Sequence, residues 1–132
     1  MRPDNGLRFV GLKPSKANAS PVPAQDAPAI RAFIVAFEQR DLSRLNGFLT
    51  KSAGQQVCGH GFYAPCGAKR PFSELKVAEK TTFNTPYYLG GHKVRLEWLY
   101  RGELWYWSEV DLSGGTIKLV RTHPADMPPD RR

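Results

Sequence analysis

Three groups of residues in this chain have types and spacings that could do chemistry. The first is Cys58 and Cys66, which flank a short glycine-rich loop. Paired, they would form a disulfide contributing about 2–3 kcal/mol for a loop this short, in an oxidising compartment such as the periplasm. Unpaired, they would be reduced thiols in a cytoplasm or organelle interior. With His60 between them and a remote His92 they would make a mixed thiolate and imidazole grouping. The close Cys-x₂₋₄-Cys spacing of zinc sites is absent, so no metal is expected.

The second group is Glu79, His60 and Tyr106, with Tyr88 and Tyr100 as further hydroxyls. A carboxylate in apolar surroundings can move a proton next to a carbonyl, and a tyrosine can stabilise the oxyanion that results. These are the candidate catalytic residues. The competing reading makes Tyr100 and Tyr106 core aromatics with satisfied hydroxyls, Glu79 a solvated charge and each histidine structural. No phosphate loop, nucleophile elbow or two-histidine metal motif occurs, and no cofactor is expected.

The third group is Trp105 and Trp107, with Leu99, Arg95 and Glu97 nearby. Tryptophan and arginine are common interface anchors. This set therefore marks a candidate interface, unless a loop or the N-terminal segment folds over it.

The elements that must position these groups lie mostly between His92 and His123. Period-two alternation predicts three antiparallel strands there. Val94, Leu96, Trp98 and Tyr100 share one face, with Lys93, Arg95, Glu97 and Leu99 on the other. Leu104, Tyr106, Ser108, Val110 and Leu112 alternate with Glu103, Trp105, Trp107, Glu109 and Asp111. Ile117 and Leu119 alternate with Thr116, Lys118 and Val120. Turns are expected at Arg101-Gly102 and at Ser113-Gly114-Gly115, where glycine tolerates positive φ. On this phasing no carboxylate lies on the apolar face, and Trp105 and Trp107 lie together on the other.

Upstream, Asp26 and Pro28 open a helix in which Ile30, Phe33, Ile34 and Phe37 recur on one side. Asp41 caps a second, short helix carrying Leu42, Leu45, Phe48 and Leu49. Residues 51–71 read as an irregular glycine-rich loop. Residues 72–80 are a short helix capped by Ser73 or part of a strand. A further strand runs from about Thr81 to Leu89, at an edge or bulged, because Pro86 lacks an N–H.

The chain has 132 residues, 41% of them hydrophobic, enough for one domain with a modest core. No apolar run is long enough to span a membrane, and the first residues carry no signal-peptide pattern. The net charge is +7, with Arg2, Arg8, Lys13 and Lys16 concentrated near the N-terminus. That balance suits a solvated surface, an acidic partner or nucleic acid, but no RNA-binding aromatic signature is present. Residues 1–25 form a basic, proline-rich extension containing Leu7, Phe9, Val10 and Leu12. Phe9 and Val10 are candidate partner contacts. Residues 124–132 form a C-terminal tail.

The run Ala29-Ile-Arg-Ala-Phe33-Ile-Val-Ala-Phe37-Glu-Gln-Arg-Asp41-Leu-Ser-Arg-Leu45 resembles the first helices of the nuclear transport factor 2-like superfamily. That superfamily includes ketosteroid isomerase, polyketide cyclases and scytalone dehydratase. Asp111-Leu-Ser-Gly-Gly115-Thr-Ile-Lys-Leu119-Val-Arg121 is similar to its final hairpin. The resemblance covers residues 26–123. It implies an α+β fold, with N-terminal helices packed on a curved antiparallel sheet in a cone-shaped, cystatin-like roll. The loop-like middle departs from the pattern and implies an incomplete cone. Some members of the superfamily catalyse acid/base chemistry in a pocket, and others are assembly modules, so fold does not decide function. The residues favour a non-catalytic protein-binding module, a homodimer or an accessory subunit, using the outer sheet face and the extension. The alternative is a small-molecule enzyme of isomerase, dehydratase or cyclase type, with a nucleic-acid-associated basic subunit as the third reading.

Overall fold

The computed structural model describes residue 12 and residues 19–59, 65–74 and 81–125. Phe9, Val10, His60 and Glu79 lie outside these described residues.

Helix α1 spans Ala27–Glu38, and a single 3₁₀ turn follows at Leu42–Leu45. Strand β1 (Leu49–Val57) leads to a second 3₁₀ turn, Phe72–Glu74. Strands β2 (Thr81–Phe83), β3 (Tyr87–Gly90), β4 (Lys93–Tyr100), β5 (Glu103–Ser113) and β6 (Thr116–Pro124) complete the order. They form one six-stranded sheet in the order β1-β6-β5-β4-β2, with β3 also paired to β4. The β1–β6 pair is parallel and the other pairs are antiparallel. One helix on one curved, open sheet is the α+β architecture expected.

The periodic face of α1 is the core. Ile30, Phe33, Ile34 and Phe37 are buried against Phe83, Val94, Leu96, Val110, Ile117 and Val120. Phe33 and Phe37 stack with centroids 4.6 Å apart, and Phe37 meets Trp98 edge-on at 4.9 Å. Asp26 stands at the helix N-terminus, but its side chain makes no capping hydrogen bond. Burial pushes its carboxyl above the ordinary range, with the nearby His92 pulling the other way. The folded state therefore holds the proton more tightly than the unfolded chain, and stability falls as pH rises from the unfolded value toward the folded one. Asp26→Asn is expected to raise thermal stability at pH 7, with the gain vanishing below about pH 4. Melting curves of both proteins across that range check this.

Two hairpins form where expected. Arg101 and Gly102 have φ of 53° and 83°, and Gly114 and Gly115 of 57° and 82°, the left-handed pair that matches strand twist in a two-residue turn.

Four sequence expectations change. Residues 51–57 are not loop but most of β1. One edge of β1 pairs with β6, and its other edge meets residues 66–70 through mutual Gln55–Arg70 backbone hydrogen bonds of 2.8 Å. Gly54 permits that approach, since a Cβ there would lie 2.9 Å from the Arg70 carbonyl oxygen. The cone is therefore more complete than the composition implied. The second helix shrinks to the turn ending at Leu45, because Leu49 is already committed to β1. The strand proposed for 81–89 divides into β2 and β3 around Pro86. Finally, β6 has an extra residue, since Asp111 faces Leu119 while Leu112 faces Ile117. This bulge brings both Ile117 and Val120 inward, where strict alternation would have separated them.

The described residues of the segment before α1 are tied to their own domain by two hydrogen bonds. Tyr88 N–H donates to the Ser20 carbonyl at 2.9 Å, and Thr85 Oγ1 donates to the Leu12 carbonyl at 3.2 Å. Leu12 and Val22 pack against the core.

Candidate functional site

A second bulge reorganises the aromatic residues. Trp98 faces Tyr106 across β4 and β5, whereas Leu99 faces Leu104, so Trp105 is the extra residue. Its carbonyl accepts from Ala125 N–H at 2.8 Å. Trp105 packs edge-on against Tyr100, centroids 5.5 Å apart. Trp107 instead lies in the outer group, stacked on His123 at 4.1 Å with the Arg95 guanidinium 4.3 Å from its ring centre. The two tryptophans therefore do not form one surface, as simple alternation had them. Arg95 is also bonded to Glu97, and Lys93, Asp111, Arg121 and Glu109 pair beside it. This outer face is a lattice of matched charges.

On the inner side lies a cavity of about 660 Å³, within the range that holds small organic ligands. Trp98, Tyr100, Trp105 and Tyr106 supply its aromatic walls. Gln55, Val57 and Thr122 line it from β1 and β6, and Leu99, Thr81 and Glu74 complete the lining. Trp98 is the partition, contacting Phe33, Phe37 and Phe83 of the core as well as the cavity. Trp105 is half exposed and Tyr106 is 40% exposed, so this side meets solvent.

A polar chain crosses the sheet beneath the cavity. Trp98 Nε1 donates to Ser108 Oγ at 2.7 Å, and Ser108 Oγ lies 2.7 Å from Thr122 Oγ1. Ser108 is fully buried. Ser108→Ala is expected to cost about 1–3 kcal/mol, because the indole N–H loses its acceptor in the interior. Denaturant unfolding checks the loss, and Ser108→Thr should recover part of it.

Gln55 is 5% exposed, and its Oε1 has no hydrogen-bond partner among the described residues. Buried carbonyls are rarely left so. Nothing in the sequence singled out Gln55, because it sits in the stretch that reads as loop.

Among the other predicted site residues, Tyr106 and Leu99 line the cavity, and Tyr88 does not. The Tyr88 hydroxyl accepts from His92 N–H at 3.0 Å, locking the β3–β4 turn. Cys58 and Cys66 are joined as a disulfide, which removes both thiolates from the mixed metal grouping. Glu74 is the carboxylate among the described lining residues, and it is ion-paired with Arg70 at 3.2 Å.

No family model matches the chain, and no curated protein matches it in sequence. Solved structures match it in fold. A loop-truncation variant of IdmH is 16% identical over 76% of this chain and 93% of its own, with a TM-score of 0.51. Bal32a, from a soil-derived mobile gene cassette, is 17% identical over 77% and 90%, with a TM-score of 0.51. An NTF2-like protein of unknown function from Cytophaga hutchinsonii is 15% identical over 73% and 86%, with a TM-score of 0.48. At these identities the likeness concerns architecture alone. One helix on a curved, open six-stranded sheet gives this chain the fold of the nuclear transport factor 2-like superfamily.

Proposed function

We propose that the protein is a small-molecule-binding domain whose cavity takes up a largely apolar ring compound. The observation that carries this reading is the cavity itself: about 660 Å³ with walls of Trp98, Tyr100, Trp105 and Tyr106. Aromatic walls favour a flat, apolar guest, and a few polar groups at one end fix its orientation. The described lining supplies groups suited to binding a ring, and it includes Glu74 and Tyr106; Glu79 and His60 lie outside the described residues. The reading is one of binding, because the aromatic walls carry it, with isomerase, dehydratase or cyclase chemistry as its extension. A Trp107→Phe variant retains Trp98 and Trp105 as the only tryptophans, both at the cavity. Titration with N-phenyl-1-naphthylamine, a neutral ring probe, should then change tryptophan emission saturably at one site per chain. No saturable change would contradict the reading.

A second reading, the assembly module, draws on Leu104, Trp105 and Tyr106, which are 43%, 50% and 40% exposed in succession. Such a rim would suit a partner chain or a second copy. Leu104→Ser combined with Trp105→Ala, both at exposed positions, should then abolish assembly in native mass spectrometry while the fold survives. Retention of every partner by that variant would exclude it.

A further inference from the structure

We infer that Gln55 and Thr122 form a paired acceptor and donor selecting a neutral ring ligand that bears a hydroxyl group. The inference rests on the reading of the cavity as a ligand site.

Its first support is the direction of the buried chain. Trp98 Nε1 can only donate, so Ser108 Oγ accepts from it. Ser108 is wholly buried, and Thr122 Oγ1, at 2.7 Å, is the acceptor within reach of its own O–H. Either hydroxyl could donate to the other, but only donation by Ser108 gives its buried O–H a partner, and the proton is assigned to it on that ground. That leaves the Thr122 O–H free to donate, and Thr122 borders the cavity.

The second support is Gln55 Oε1, a buried acceptor without a partner among the described residues, on a residue that lines the same cavity. Thr50 Oγ1 is also unpartnered, but Thr50 is not part of the cavity lining. Register brings the two groups together. Gln55 lies beside Val120 and Val57 beside Thr122, so Gln55 and Thr122 are diagonal neighbours on adjoining strands. Alternation puts them on the same face.

A ligand group that satisfies both must accept one hydrogen bond and donate another, which a hydroxyl does with a single oxygen. An ether can only accept. A carboxylate also only accepts, and no Lys, Arg or His is among the described lining residues to offset its charge. The aromatic walls take the ring.

The test measures affinities of 2-naphthol, 2-methoxynaphthalene and 2-naphthoate by calorimetry, for the native sequence, Gln55→Met and Thr122→Val. Thermal melts confirm that each variant is folded. The naphthol should bind about tenfold more tightly than the methyl ether, and the naphthoate should be the weakest. In Gln55→Met the advantage of the naphthol should fall to within about twofold, and Thr122→Val should weaken naphthol and methyl ether alike, by about threefold to tenfold. Equal binding of naphthol and ether, an advantage unchanged in Gln55→Met, or both affinities unchanged in Thr122→Val overturns the Gln55–Thr122 assignment and leaves the cavity reading standing. Failure of every probe to bind the native sequence overturns both.

Discussion

Phe37→Ala will lower folding stability by about 3–5 kcal/mol. Phe37 is fully buried on the inward face of α1. It stacks on Phe33, meets Trp98 edge-on and lies 6.5 Å from Phe83, so one truncation opens a gap shared by α1, β2 and β4. Rings held in such mutual contact cannot collapse onto one another without leaving favourable rotamers. The loss should appear in urea unfolding as a lower midpoint with an unchanged slope. It should also weaken ligand binding, because Trp98 is wall to both core and cavity. A loss under about 1 kcal/mol would show that the helix closes over the gap, and Phe37 would then not be the anchor described.

The paired change Cys58→Ala/Cys66→Ala will cost about 2–3 kcal/mol by freeing a short loop in the unfolded chain. The bridge fastens the end of β1 to the segment that covers its edge. Gly67 N–H donates to the Val57 carbonyl at 2.9 Å, and Lys69 Nζ donates to the Ser52 carbonyl at 2.8 Å. That segment continues to Phe72, which packs in the core, and to Glu74 at the cavity. Loss of the bridge should therefore speed hydrogen exchange of the Gln55 and Arg70 amides before it affects β4 and β5. Uniform exchange across the sheet, with stability unchanged, would remove the bridge from this account. The disulfide persists only where thiols are kept oxidised, so reducing agent should reproduce the variant's behaviour.

The hairpins, the inward face of α1 and the resemblance to the superfamily were legible in the sequence because each rests on local signals. Arg101-Gly102 and Gly114-Gly115 announce turns, and Ile30, Phe33, Ile34 and Phe37 repeat at helical spacing. The two bulges were not legible. An extra residue such as Trp105 or Lys118 changes which side chains face inward without altering composition, and only the register with the neighbouring strand reveals it. The consequence at Trp105 was large, since it separated that tryptophan from Trp107 and set it at the cavity. Strand β1 was hidden for another reason. Its Gly54, Gln55 and Gln56 have weak strand preference, and the strand exists through pairing with β6 and residues 66–70, a case of tertiary pairing overriding propensity. Gln55 was hidden with it.

The central claim is that this cavity is the site of ligand binding. The chain's three tryptophans divide conveniently, with Trp98 and Trp105 lining the cavity and Trp107 stacked on His123 in the outer group. The most direct measurement is the response of the three indole N–H resonances to titration with 2-naphthol. The account predicts that the Trp98 and Trp105 signals shift together and saturably while Trp107 stays in place. A shift confined to Trp107, or no shift at all, would contradict it.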